Sequence, residues 1–285
     1  MHMGLGCALE NLLIAATANS YTTQLTLLPD ASNENLVAQI ELTPGSPVPS
    51  ELYNLIPQRH TNRYPYDTGR TVANSTLDAL TTLNDNSDVR ILWFNTTETR
   101  KTISDLMVEA AKAVVADKTQ DTDSAKWYQA TWQDVQQHKA GITLDAAGLS
   151  DTIRALGKIL PSASQEQQDS TFVDNTATQS QTTGAFGLLA IRDGQNRSQQ
   201  IRAGQVWERI HLWLTREGLA AQPLNATVGR AAREVVLGSD PHFGTALQSL
   251  VGDSSWQTLL AFRFGYSTHE GLRSPRRDVN EVMKA

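Results

Sequence analysis

A single cysteine, Cys7, stands among 285 residues, so no internal disulfide can form and no cysteine-based metal site can be built. Histidine is scarce and scattered. His2, His60, His138, His211, His242 and His269 share no HxH or HxxxH spacing that would suit zinc or iron. Charged residues make up 19% of the chain and the net charge is −6; no basic domain or stripe offers the electrostatic footprint that nucleic acid requires. Long apolar runs are missing too. Leu12–Ala18 is too short to span a bilayer, no Lys or Arg precedes it, and Glu10 and Asn11 interrupt the run upstream. It reads as a buried core helix, and the composition fits a cytoplasmic protein with no membrane partner. Leu5-Gly6-Cys7 lies too close to the start to be a lipobox. Gly4-x-Gly6-x-x-Leu9 lacks the third glycine and the preceding strand of a dinucleotide-binding turn. There is no Gly-x-Ser-x-Gly elbow and no clustered His-Cys-Asp set to carry nucleophilic catalysis.

What is present is a 40% hydrophobic chain, enough for a substantial core in one or two domains. Gly6–Asn19 reads as a helix apolar on most faces, the pattern of a helix buried in a core or interface. Leu25–Leu28 and Leu36–Leu42 read as strands, and the proline-rich Thr43–Ser50 as a linker. Helices are expected at Glu51–Ile56, Ser75–Leu83, Thr102–Val115 and Gly204–Glu217. Strands are expected at Val89–Phe94, Gly184–Ile191 and Thr258–Tyr266. Residues 116–169 read as helices and loops, and the Ser/Gln/Thr-rich Ser162–Gln181 as a mobile loop. An internal echo joins the two ends of the chain: Gly6, Glu10, Thr17 and Gln24 match Gly204, Glu208, Thr215 and Gln222, with Leu12 and Ile14 falling on Ile210 and Leu212. The echo implies two related modules, with the chain starting inside the first.

Three further stretches carry a resemblance. Arg59-His60-Thr61-Asn62-Arg63 resembles the Arg-x-Ser/Thr-x-Arg/Lys motif of nitroreductases. Ala203–Leu219 followed by Ala221-Gln222-Pro223-Leu224-Asn225 resembles their central helix and the proline-containing segment after it. Phe262–Tyr266 and then Ser274-Pro275-Arg276 resemble their last strand and basic tail. Met3–Leu12, Leu28-Pro29-Asp30 and the Arg59–Arg63 run are similar to Acg-like proteins, which fuse two nitroreductase modules. Two departures stand out: the flavin-holding Pro-Ser/Thr-x-x-Asn-x-Gln-Pro-Trp run is absent, and Ser274 replaces a frequent Lys.

The resemblance implies an α+β fold, with a mixed central sheet wrapped by helices. Residues 1–50 would be the C-terminal half of a first module and 51–285 a second, with a lid or insertion at about 116–183. It implies FMN as cofactor, held by Arg59, His60, Thr61, Arg63, Pro223, Leu224, Asn225 and Arg276. Arg59, Arg63 and Arg276 would converge on its phosphate, since guanidinium forks and hydroxyls suit that anion. NAD(P)H would be the electron donor and a nitroaromatic or quinone the small-molecule acceptor, in a ping-pong cycle with no catalytic side chain. The alternative is a flavin-sequestering protein whose lid excludes substrates. The two modules would form an intramolecular pseudo-dimer, and the uncovered first module would favour self-association. Without the resemblance, Arg59 and Arg63 read as basic residues at a helix C-terminus.

Overall fold

Ala185–Ile191 is apolar at every position, and the fold buries all of it. This strand, β6, lies inside a four-stranded antiparallel sheet of order β3-β6-β8-β7, where β3 is Val89–Phe94, β7 Ala220–Pro223 and β8 Gln257–Gly265. In the computed structural model residues 1–129, 131–159 and 163–283 are described. One face of the sheet carries α8 (Arg197–Arg216), whose Ala203, Val206, Trp207, Ile210 and Leu214 pack on Leu189, Leu260, Phe262 and Phe264. The other carries α3 (Thr97–Ala116), with Ile103 and Met107 against Phe186, Leu188 and Ala261. Gly187 is where the two strands close up: a Cβ there would stand 2.2 Å from the ring of Phe262.

The N-terminal part folds as α1 (His2–Ala18) and a two-stranded antiparallel hairpin, β1 (Tyr21–Leu27) and β2 (Ala38–Pro44). Helix α1 crosses α8 with the two backbones in contact at the matched glycines. A Cβ on Gly6 would lie 2.0 Å from the carbonyl oxygen of Ile201; a Cβ on Gly204 would lie 2.0 Å from that of Met3. Ile201 and Met3 are themselves related by the 198-residue offset, as are His2 and Gln200, which hydrogen-bond at 2.8 Å. The polar pairs cross reciprocally. Arg209 Nε lies 3.1 Å from Glu10, and Asn11 Nδ2 donates to Glu208 at 2.9 Å. Both helices end on a left-handed residue at the matched position, Ser20 with φ 70° and Gly218 with φ 68°. The contact between the two helices therefore has local two-fold pseudosymmetry. Burial pushes the lone thiol, Cys7, up to about 12, so it packs as a neutral group beside Gly204.

Between the sheet strands run α2 (Asn74–Thr81), α4 (Lys118–Ala125), the short paired strands β4 (Tyr128–Gln129) and β5 (Ile142–Thr143), α5 (Trp132–His138), α6 (Asp151–Gly157) and α7 (Gln165–Gln181). Helix α7 corrects the sequence reading of Ser162–Gln181: from Gln165 on it is a 17-residue helix, started by a capping box between Ser164 and Gln167. Ser162 lies outside the described residues. The expected helix at Glu51–Ile56 is only a 3-10 turn at Tyr53–Leu55, cut short before Pro57. Helices α9 (Ala226–Leu237) and α10 (His242–Val251) were not anticipated, nor was the single helical turn Val279–Val282 in the tail. Arg233 and Arg230 fasten α9 to Asp117, and their hydrogen bonds hold its carboxyl well below the usual carboxylate range. Among the described residues no helix is long and apolar enough to cross a membrane.

Candidate functional site

The motif Arg59–Arg63 follows the 3-10 turn as an extended segment along the edge of the sheet. It touches β7 through one backbone bond, Asn62 N to Ala221 O at 3.2 Å. That bond places the motif two residues from Pro223. Over the motif the C-terminal tail runs back antiparallel. Tyr66 bridges Ser267, Thr268 N donates to Pro65 O, the rings of Tyr64 and His269 stack at 5.1 Å, and Asn62 Nδ2 donates to His269 O at 2.8 Å. At Gly271 the two segments are so close that a Cβ would stand 2.9 Å from His60 Nε2. The tail then delivers Arg276, which donates through Nη2 to Arg59 O at 3.2 Å. Arg59 and Arg276 thus meet, although more than two hundred residues separate them.

Arg59 itself is committed to the protein. Its Nε lies 2.7 Å from Glu208, a carboxylate with 2% exposure, and its Nη1 lies 3.2 Å from His211 Nδ1. Since that nitrogen accepts, the proton of His211 sits on Nε2, which faces His60 O at 3.2 Å. Burial, reinforced by the Arg59 charge, holds His211 well below the ordinary imidazole range. Arg63 points elsewhere. It donates to Ala146 O at 3.0 Å, and burial lowers it. The structure brings the Arg276 guanidinium to the Arg59 backbone carbonyl, whereas Arg63 is drawn away by the 145–147 turn. Leu224 buries its side chain against α3, and its N–H is already given to Ala261 O at 2.8 Å. Asn225 is exposed, accepts from Ala261 N, and opens α9. The donors left for a ligand at this corner are the first N–H groups of α9, with Pro223 beside them.

Residues that the sequence reading did not assign to the site organise it. Arg263 is fully buried on β8 and stacks its guanidinium 3.7 Å from the ring centre of Tyr66. It donates to Gln222 Oε1, Gln179 O and Tyr64 O at 2.7–2.8 Å. It ties the sheet, the end of α7 and the motif into one unit. Burial pulls it down to about 10, which leaves it charged at neutral pH. Residues 116–183 reach the same place. Gln222 donates to Gln179 at 2.7 Å, Arg154 donates to the Tyr64 hydroxyl at 2.9 Å, and Lys139 pairs with Glu281 of the tail. A lone Arg within the apolar run Leu259–Phe264 was the signal for Arg263. Glu208 was visible as a repeat identity, but its partner was not.

The donor set is anion-seeking. The Thr61 hydroxyl and the backbone N–H groups of His60 and Thr61 have no partner among the described residues. They lie next to exposed Arg276 and partly exposed Arg59. That chemistry fits a phosphate. Two shallow depressions, about 470 and 460 Å³, lie instead along α10 and its two flanks, from Asp240 to Ser254. They are lined by no residue of this cluster.

No protein-family model matches the chain, and no curated protein matches it in sequence. Solved structures do match. The FMN- and NADPH-dependent nitroreductase NfnB from Sphigopyxis sp. strain HMH superposes with a TM-score of 0.52 at 13% identity, over 83% of this chain and 99% of that one. A single-site variant of the same enzyme gives 0.54, also at 13% identity, with the same coverage. The chain has a nitroreductase-like α+β fold.

Proposed function

We propose that this protein is an FMN-binding oxidoreductase of the nitroreductase type. The observation that carries the reading is the antiparallel clasp of the tail over the motif, which sets Arg276 on Arg59 at the edge of β7. The similar solved enzyme is described as FMN- and NADPH-dependent, which supports the same pair here. Arg276, Arg59, His60 and Thr61 would hold the phosphate. Pro223, Leu224, Asn225 and the N-terminus of α9 would flank the ring, and Arg63 would add positive charge near it. A bound FMN would supply two-electron chemistry between NAD(P)H and an acceptor such as a nitroaromatic or quinone. The chain's own part is positioning. Glu208 and His211 fix the Arg59 fork, Arg263 fixes Tyr64 and Gln222, and the tail closes over both. Residues 1–50 and 51–285 are inferred to be parts of two related modules in a pseudo-dimer. The support is the matched glycines and reciprocal polar pairs of α1 and α8.

Heat release and chromatography of the bound cofactor should yield FMN; recovery of FAD would refute the assignment. Arg276→Ala is the cleaner probe of phosphate binding, because Arg276 is exposed and makes one hydrogen bond among the described residues. A lost charge-assisted contact of roughly 1.5–3 kcal/mol should weaken flavin retention ten- to a hundredfold. Unchanged retention would remove Arg276 from the site.

A second reading is favoured by the bonds from residues 116–183 onto the motif, the Arg154–Tyr64 and Arg63–Ala146 contacts above all. A segment seated there can cover a flavin and bar substrates, leaving a protein that holds FMN without turnover. Anaerobic addition of NADPH separates the two: rapid bleaching and reoxidation by a nitroaromatic supports the reductase, and a persistent yellow spectrum supports sequestration.

A further inference from the structure

Tyr64 is gripped from three sides. Its hydroxyl accepts from Arg154 of α6 at 2.9 Å, its ring stacks on His269 of the tail at 5.1 Å, and its carbonyl accepts from the buried Arg263 at 2.7 Å. Residues 116–183 and the tail thus seat on one side chain of the motif. Both also press on the motif through a glycine. A Cβ on Gly148, which has φ 75°, would lie 2.4 Å from Arg63 O; a Cβ on Gly271 would lie 2.9 Å from His60 Nε2. Away from the motif the two segments meet directly, where Lys139 at the end of α5 pairs with Glu281. Three contacts therefore close a ring: α6 and the 146–148 turn to the motif, the motif to the tail, and the tail to α5. Little apolar burial fastens it. Helix α6 buries none of its residues, and His269 and Leu272 of the tail are exposed. Segments held by a few polar bonds open at low free energy.

We propose that α6 and the tail are two arms of one clasp, pinned at Tyr64 and latched by Lys139 and Glu281, which opens as a unit to admit an anionic ligand to Arg59 and Arg276. Releasing either arm removes a neighbour of the other, so the two loosen together. Arg276 lies on the tail between its two fastenings, Thr268 to Pro65 and Glu281 to Lys139. Closing the clasp therefore carries Arg276 onto Arg59, and opening it takes that guanidinium away. The admission of a ligand rests on the flavin reading; the concerted opening does not.

The test reads amide hydrogen exchange by NMR in the full chain stripped of any cofactor. The tail is read at Thr268, whose N–H crosses to Pro65 O, and the other arm over Arg154–Gly157 of α6. A seven-residue helix does not hold alone in water, so its protection reports docking. Tyr64→Phe removes the hydroxyl that Arg154 uses and keeps the ring on His269. It should speed exchange at least twofold in α6 and equally at Thr268. Lys139→Glu and Glu281→Lys should each do the same, a small factor because an exposed ion pair is weak. Combining those two reversals should restore both arms, with β6 protected throughout. Faster exchange confined to one arm in any of these variants, or in none of them, overturns the clasp. In flavin-loaded protein Glu281→Lys should speed loss of FMN by the same factor as exchange at Thr268, and unchanged loss overturns the gating. A chain that holds no FMN fails the flavin reading and leaves the exchange rates to decide the clasp.

Discussion

Ser20 holds a left-handed turn, φ 70°, that its counterpart Gly218 holds at no steric cost. A side chain in that region costs roughly 1–2 kcal/mol, offset in part by the extra freedom glycine has when unfolded. Ser20→Gly should therefore stabilise the protein by up to about 1 kcal/mol in urea unfolding; a lower midpoint would show that Ser20 is anchored in a way that outweighs its backbone. His211 makes a prediction with a sign. Its folded pKa lies well below the ordinary value of about 6.5 that it regains on unfolding. The unfolded chain thus binds the proton more readily, so this contribution is complete above about pH 6.5 and is lost as pH falls below it. Protonation also destroys the acceptor that faces Arg59. His211→Gln, which can still accept from Arg59 and donate to His60 O, should flatten the loss of stability between about pH 6.5 and 5; identical acid limbs would contradict this. At this scale the sequence was half legible. The cationic motif could be read, but its anchors could not. Glu208, His211 and Arg263 reach it only through long-range folding, and Arg59, bound to a buried carboxylate, is a structural cation in its own right. Removing Arg59 should cost stability as well as flavin, because a buried charge left alone is strongly destabilising.

Among the elements, the close approach of α1 and α8 gives opposite outcomes for two neighbouring glycines of one helix. At Gly4 an added Cβ meets nothing within 4 Å, so Gly4→Ala should gain about 0.8–1 kcal/mol of helix propensity. At Gly6 the same methyl runs into the Ile201 carbonyl, a backbone atom that cannot swing aside. Gly6→Ala should cost about 3 kcal/mol, the upper end for overpacked sites. Thermal melts of the two variants should move in opposite directions, and parallel shifts would mean that the helices are not in backbone contact. Elements with strong periodicity were legible: β3 falls where its apolar run placed it, and α1, α8 and β8 differ only at their ends. Helix α7 was misread because its composition is polar and loop-like; its start was nonetheless written in Ser164 and Gln167. Helices α9 and α10 lie between β7 and β8, where the first repeat has only a short connection from β1 to β2, so the internal echo gave no hint of them.

For the whole molecule, the fold class could be read because motif, central helix and tail occur in one order along the chain. The surroundings of the motif could not, since they depend on how residues 116–183 settle on it. Helix α1 is complete at residue 18 and its partner begins at residue 197, so roughly 180 residues must be translated between them. At about 5–20 residues per second, that is on the order of 10–40 s. Throughout that interval an almost uncharged, alanine- and leucine-rich helix has β1 and the residues just after the hairpin as neighbours but lacks its main partner. The glycine crossing therefore makes the docking of α1 on α8 a late event in the maturation of each molecule.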